Sequence, residues 1–254
     1  MIDFNDYMKV DMHCHTSPSS LCSEVSPEEL VDYYVNLGYG AIVLTNHYRP
    51  GHIDQFGCSK DEMLSGYLND WKKTVKAAKN KGLKVFLGAE VKVVCDLTAK
   101  NDKGEDGPVN SEFLLYGTDE EFFYKTYNLY TLNQKELFEV CNKYGVLVYQ
   151  SHPLRDKHFC IPLDPRYMHG VEVFNPHFES KISKTLEIAN NNKLLMSAGS
   201  DVHTLPATEA GLYIPKEITN EKALADYLRK GESIIFGKEG VIVYNGEQLI
   251  NIEY

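Results

Sequence analysis

With 254 residues, 43% of them hydrophobic, the chain is long enough to bury a sizeable core, and α/β barrels of this length fold as single units. A formal net charge of −10 argues against a sequence-independent nucleic-acid binder, which needs Lys and Arg to displace counterions. Six cysteines without a CxxC pair argue against a disulfide scaffold, no segment approaches the roughly 20 apolar residues that span a bilayer, and the N-terminus lacks a signal-peptide stretch, so a soluble cytoplasmic protein is expected.

Strand and helix signals alternate along the chain. Apolar runs at 8–14, 40–46, 83–91, 112–117, 145–151, 170–175 and 194–200 read as strands. After the first run, SPEELVDYYVNLG offers Ser26 as N-cap, Pro27 at N1, Glu29 for a capping box and Gly38 as terminator. A second helix is expected from about Ser59 to Asn80, with Met63, Leu64, Tyr67, Leu68, Trp71 and Val75 as its apolar stripe. Further helices fit 132–144, 180–191 and 219–230, while the polar stretch Thr98–Asn110 reads as an exposed loop. From about 232 the pattern becomes a hairpin-like C-terminal tail with Asn245-Gly246 as its turn signal. No linker or repeat interrupts residues 1–254, so one domain is expected. Such alternation implies parallel strands with right-handed crossovers, closed as a small barrel or left as a doubly wound sheet, with ligands at the C-terminal strand ends.

Those ends carry the chemistry. Strand one ends in His13 and His15, spaced so that both project from one face along with Lys9 and Asp11, while Val10, Met12 and Cys14 share the other. Strand two ends in His47, strand three carries Glu90, strand five ends in His152, and strand seven ends in Asp201 and His203. Imidazoles and carboxylates are ligands for zinc, manganese or iron, and seven of them arriving at one end of five strands point to a metal centre.

DMHCHTSPSS, TNH, GAE, SHP and GSDVH occur in this order from residue 11 to 203, and in that order they resemble the motifs of the polymerase and histidinol phosphatase (PHP) superfamily. The resemblance covers nearly the whole chain. It implies a distorted (β/α)7 barrel of parallel strands with up to three divalent metals (Mn, Fe or Zn) at its mouth. It further implies that His13, His15, Glu90 and Asp201 hold a first metal, that Glu90 bridges to a second also bound by His152, and that His47 and His203 hold a third. Three positions depart from the family pattern. The loop after HxH lacks its usual His and offers Ser20 or Cys22; strand four offers Glu112, a harder ligand, in place of a His; and Asn46 stands where an Asp is usual.

The activity so implied is metal-dependent hydrolysis of a phosphomonoester by a metal-activated water, the substrate being a small molecule such as histidinol phosphate, a nucleotide or a sugar phosphate. Asp201, His203 and His177 are the candidate catalytic residues, the two histidines as donors to the leaving group. Arg155 and Arg49 are candidate phosphate clamps, and His177 could read the substrate. No nucleic-acid or membrane partner is expected. The alternatives are a metal-dependent C–N hydrolase of amidohydrolase type and a non-catalytic metal-binding regulatory protein, which activity on amide and phosphoester panels would separate.

Overall fold

A computed structural model gives the structure over residues 4–101, 103–155, 159–237, 240–244 and 249–252. The strands are β1 (Tyr7–Cys14), β2 (Ala41–Leu44), β3 (His47–Tyr48), β4 (Lys84–Leu87), β5 (Ala89–Lys92), β6 (Thr98–Lys100), β7 (Asp106–Pro108) and β8 (Glu112–Tyr116). They continue with β9 (Leu147–Gln150), β10 (Gly170–Phe174), β11 (Leu195–Ala198), β12 (Gly211–Pro215), β13 (Ser233–Gly237), β14 (Gly240–Tyr244) and β15 (Leu249–Ile252). The helices are α1 (Pro27–Asn36), α2 (Lys60–Ala78), α3 (Glu120–Lys125), α4 (Gln134–Tyr144), α5 (Ile182–Asn191) and α6 (Glu221–Leu228).

Local chemistry sets the helix starts. Ser26 and Glu29 form the expected capping box on α1, and Ser59 with Glu62 and Asn133 with Glu136 repeat it on α2 and α4. Helix α2 buries Leu64, Tyr67, Leu68, Thr74 and Ala78. Val75, expected in that stripe, is 41% exposed, because the buried face continues through Thr74 and Ala78 instead. The short helix α3 and strand β12 carried no sequence signal that was recognised, and the expected loop at 98–110 contains the antiparallel pair β6–β7.

The fold is α/β with mixed sheets, and this corrects the all-parallel expectation. One sheet has the order β15-β14-β13-β12-β1-β2-β4, the other β11-β10-β9-β8-β5-β3; among the described residues no single closed barrel forms. Two expected strands are each split between these sheets. One is interrupted at Thr45-Asn46, between β2 and β3, and the other at Gly88, between β4 and β5. A Cβ at Gly88 would meet the Leu115 carbonyl oxygen and Val43 Cγ1 at 2.9 Å, so the bend needs a residue without one. The halves stay laced together, since the Gly88 amide donates to Leu44 O (3.0 Å) and the Glu90 amide to Asn46 O (3.1 Å).

Parallel pairing holds for β1–β2, β2–β4, β3–β5, β9–β10 and β10–β11. It fails for β1–β12, β5–β8 and β8–β9. Between β5 and β8 the chain makes the β6–β7 hairpin and no helix, so no crossover carries it back to the starting edge. The reversal has a consequence at the mouth. Glu112, at the start of β8, pairs with Lys92 at the end of β5, and so lies at the same end as its neighbours' C-termini.

Strands β12, β13, β14 and β15 pair antiparallel in sequence order; the Asn245-Gly246 step lies outside the described residues. No helix among the described residues is long and apolar enough to cross a membrane.

Candidate metal centre

The opening motif sits on a distorted strand. The β1–β2 register shifts between Asp11 and Cys14, and the β10–β11 register shifts between Glu172 and Phe174. Strict alternation along β1 therefore lapses. Asp11 turns from the histidines: its Oδ1 accepts the amides of His13 and Ser200, both at 3.0 Å, and its Oδ2 accepts the Tyr34 hydroxyl. Burial pushes the Asp11 carboxyl up to about 6 against those hydrogen bonds. Asp11 thus stitches the first motif to the last, and the Asp201 amide donating to His13 O (2.9 Å) adds a second stitch. His152 and Asp201 adopt φ values of 27° and 53°, which are uncommon for side-chain-bearing residues and are found where a site dictates backbone geometry.

Three imidazoles, those of His13, His15 and His203, are each aimed by a partner on Nδ1. His13 Nδ1 lies 3.0 Å from Glu172 Oε1, leaving Nε2 to face Glu90 Oε1 (3.6 Å) and Asp201 Oδ1 (3.4 Å). His15 Nδ1 pairs with Ser20 Oγ at 3.0 Å, leaving Nε2 3.2 Å from Asp201 Oδ1. Ser20 Oγ also accepts the His47 amide (3.0 Å) and donates to Asn46 Oδ1 (2.9 Å), which accepts the Thr16 amide as well. Asn46 Nδ2 in turn donates to Asp70 Oδ2 on α2 at 3.0 Å. His203 Nδ1 donates to the Asp201 carbonyl (2.8 Å), so its Nε2 keeps a lone pair. This is how metal-binding histidines are held, with one nitrogen donating so that the other can coordinate.

The inner face leaves polar atoms without partners. Among the described residues His13 Nε2, His15 Nε2, His47 Nδ1, Glu90 Oε2 and Asp201 Oδ1 are buried and form no hydrogen bond. His47 Nδ1 is only 2.8 Å from Glu90 Oε2 yet off the hydrogen-bonding direction. Unsatisfied buried polar atoms are costly, and five of them converging is the arrangement a cation would satisfy. Three groups have ligand atoms within 4.8 Å of one another: His13, His15 and Glu90; His15, His47 and His203; and His47, Glu90 and Glu112. The donor set fits divalent metal ions.

Imidazoles and carboxylates at the centre shift one another's titration. Burial opposes charge on His13, but Asp201, Glu172 and Glu90 outweigh it and raise its pKa well above the usual value. His47 likewise rises against burial to about 9, chiefly through Glu90. His15 falls well below the usual range, through burial and then the charges on His203 and His47. Burial also works against charge on Glu90 and Asp201, yet the surrounding imidazoles hold both carboxyls well below the usual range.

The predicted substrate residues line a cavity of about 470 Å³ above this centre, together with Cys22, His47 and His203. Arg155 Nη1 lies 3.3 Å from Asp201 Oδ2, and His177 Nε2 lies 3.6 Å from the same oxygen. Arg49 Nη1 pairs at 3.0 Å with Glu112 Oε1, and Asn110 holds the other Glu112 oxygen. Glu112 is therefore at the centre but already partnered, its Oε2 standing 3.7 Å from His152 Nε2. Ser20, one of the two candidates for the missing His, faces His15 from behind instead of facing the cavity. Cys22, the other, lies beside His203 and His47, which draw its thiol down to about 6 against burial.

Glu172, Asp70 and Cys160 were missed in the sequence. Glu172 Oε2 also accepts the His152 amide (2.9 Å) and Asn175 Nδ2 (3.0 Å), and Cys160 Sγ lies 4.0 Å from His152 Nδ1. A lone carboxylate inside the apolar run GVEVF was the available signal for Glu172. Asp70 sits on a charged helix and offered none.

A family model for the PHP domain matches residues 11–244. The chain belongs to the PHP domain family. No curated protein matches it. The PHP fold is shared with several solved structures. A two-domain protein from Bacteroides vulgatus containing a predicted PHP-like metal-dependent phosphoesterase is 20% identical with a TM-score of 0.66, over 95% of this chain and 68% of that one. A candidate metal-dependent phosphoesterase from Bifidobacterium adolescentis is 16% identical, TM-score 0.52, over 87% and 95%. An amidohydrolase from Chromobacterium violaceum, with sulfate bound and no metal, is 13% identical, TM-score 0.53, over 90% and 98%. At these identities the likeness to this PHP domain is one of fold.

Proposed function

We propose that this PHP domain hydrolyses a small phosphomonoester with two or three divalent metal ions. The observation that carries this reading is the set of five buried, unpartnered ligand atoms on His13, His15, His47, Glu90 and Asp201. His13, His15, Glu90 and Asp201 would hold one ion, Glu90 and His152 a second with Glu112 at its edge, and His47 and His203 a third. When bound, such ions polarise phosphoryl oxygens and lower the pKa of water. Glu172 and Ser20 keep His13 and His15, respectively, in the tautomer that exposes Nε2. Arg155 and Arg49 stand at opposite carboxylates on the cavity wall and offer guanidinium forks to phosphate oxygens. His177 remains at the mouth to hydrogen-bond the leaving-group oxygen.

The test is phosphate release from a monoester panel by protein stripped and refilled with manganese, iron(II) or zinc. Metal-dependent release is expected, with Asp201→Ala at least about 100-fold slower because one metal ligand and its charge are lost. Metal uptake without release from any ester would sink the reading. The Chromobacterium fold neighbour is named an amidohydrolase, so amide substrates belong in the same panel.

A further inference from the structure

Cys22 occupies a position that the phosphoesterase reading leaves open. His15, His47 and His203 present ligand atoms within 4.8 Å of one another, and His15 Nε2 and His47 Nδ1 are buried without partners there. Those nitrogens need an electrophile, and imidazoles alone leave it short of anionic charge. Cys22 lines the same cavity wall as His47 and His203. Its neighbours in the chain are pinned: the Leu21 amide donates to His52 Nδ1 (3.2 Å), the Ser23 amide to Ser20 O (2.8 Å) and the Glu24 amide to His203 O (2.9 Å). The last bond ties the Cys22 loop directly to the closing motif. Backbone hydrogen bonds on both sides thus fix the loop that carries Cys22, an exposed residue whose side chain lines the cavity wall.

We infer that Cys22 is a thiolate ligand of the third metal ion, completing with His47 and His203 a site of soft and borderline donors that favours zinc, iron(II) or cobalt(II) over manganese. Thiolate and imidazole prefer those ions, whereas the Glu90 and Asp201 carboxylates next door accept harder ones. The centre then sorts metals by position. Binding releases the thiol proton to solvent and forms one metal–sulfur bond, with no change of oxidation state. The inference rests on the metal-centre reading, but not on the identity of the substrate.

The experiment is optical titration of the stripped full chain with cobalt(II), alongside elemental analysis. A sulfur-to-cobalt charge-transfer band is expected in the near ultraviolet. Cys22→Ser should lose it and bind one ion fewer, while Cys160→Ser, the other thiol close to the centre, should keep it. Cys22→His should lose the band yet retain the ion, which separates lost ligation from lost folding. A band that survives in Cys22→Ser, or cobalt bound to wild type without any band, overturns the assignment. Failure to take up cobalt at all overturns the metal centre itself together with this proposal. The phosphatase panel, in contrast, can fail while the band is present.

Discussion

At the residue scale, the centre depends on groups that would touch neither metal nor substrate. Glu172 is completely buried and serves three partners: the His13 imidazole, the His152 amide and the Asn175 side chain. Replacing it by Gln keeps the shape but removes the negative charge that favours the Nδ1–H tautomer of His13. Metal affinity is then expected to fall about 10- to 100-fold, as for other partners of coordinating histidines, read by competition with a chromophoric chelator. Unchanged affinity would mean that β1 alone orients the ring. Asn46 shows how a departure from the family pattern is absorbed. Its Nδ2 donates to Asp70 Oδ2 on α2, so a carboxylate still stands one hydrogen bond behind TNH.

At the element scale, the site depends on how closely β11 crosses β1. A Cβ on Gly199 would lie 2.3 Å from His13 Cβ and 2.6 Å from its backbone nitrogen. Gly199→Ala is expected to destabilise the fold by about 1–3 kcal/mol, the usual cost of overpacking, and to weaken metal binding, because the displaced atoms belong to His13. Denaturant unfolding and the chelator competition check both; a stability loss with intact affinity would show that the strand relaxes away from the site. At the opposite end of the sheet, His169 Nδ1 accepts the Val148 amide (3.0 Å) and its Nε2 pairs with Asn142 Oδ1 (2.9 Å). Burial, then the charge of Arg229, lowers its pKa from 6.5 to about 4. The folded state therefore binds fewer protons than the unfolded chain between those values, so the stability His169 contributes is present above about 6.5 and lost as pH falls toward 4. His169→Asn should flatten that part of the Tm–pH profile, measured by calorimetry on metal-loaded protein; an unchanged profile would assign the acid limb to other groups.

At the scale of the whole molecule, the centre joins segments nearly 200 residues apart, so its occupancy bears on global stability. Metal at about 100 times its Kd is expected to add about 2.7 kcal/mol and raise Tm, an increment that Asp201→Ala should abolish. A Tm indifferent to metal would mean that the folded chain does not bind it in preference to the unfolded one. The sequence alone determined the starts of α1 and α2, because Ser26 with Glu29 and Ser59 with Glu62 act within four residues, and it determined which strand ends carry His and carboxylate, because apolar runs mark those ends locally. The partition into two mixed sheets was not legible. It turns on interruptions at Thr45-Asn46 and Gly88 in strands that look continuous, and on the reversal of β8, which brings Glu112 to the mouth from a strand start. Nor could the sequence show that Arg49 takes Glu112, that Glu172 stands behind His13, or that Cys22 faces His47 and His203. Local chemistry decides where an element begins and what it carries; which side chains meet is decided only when distant strands pack and every buried donor must find its acceptor.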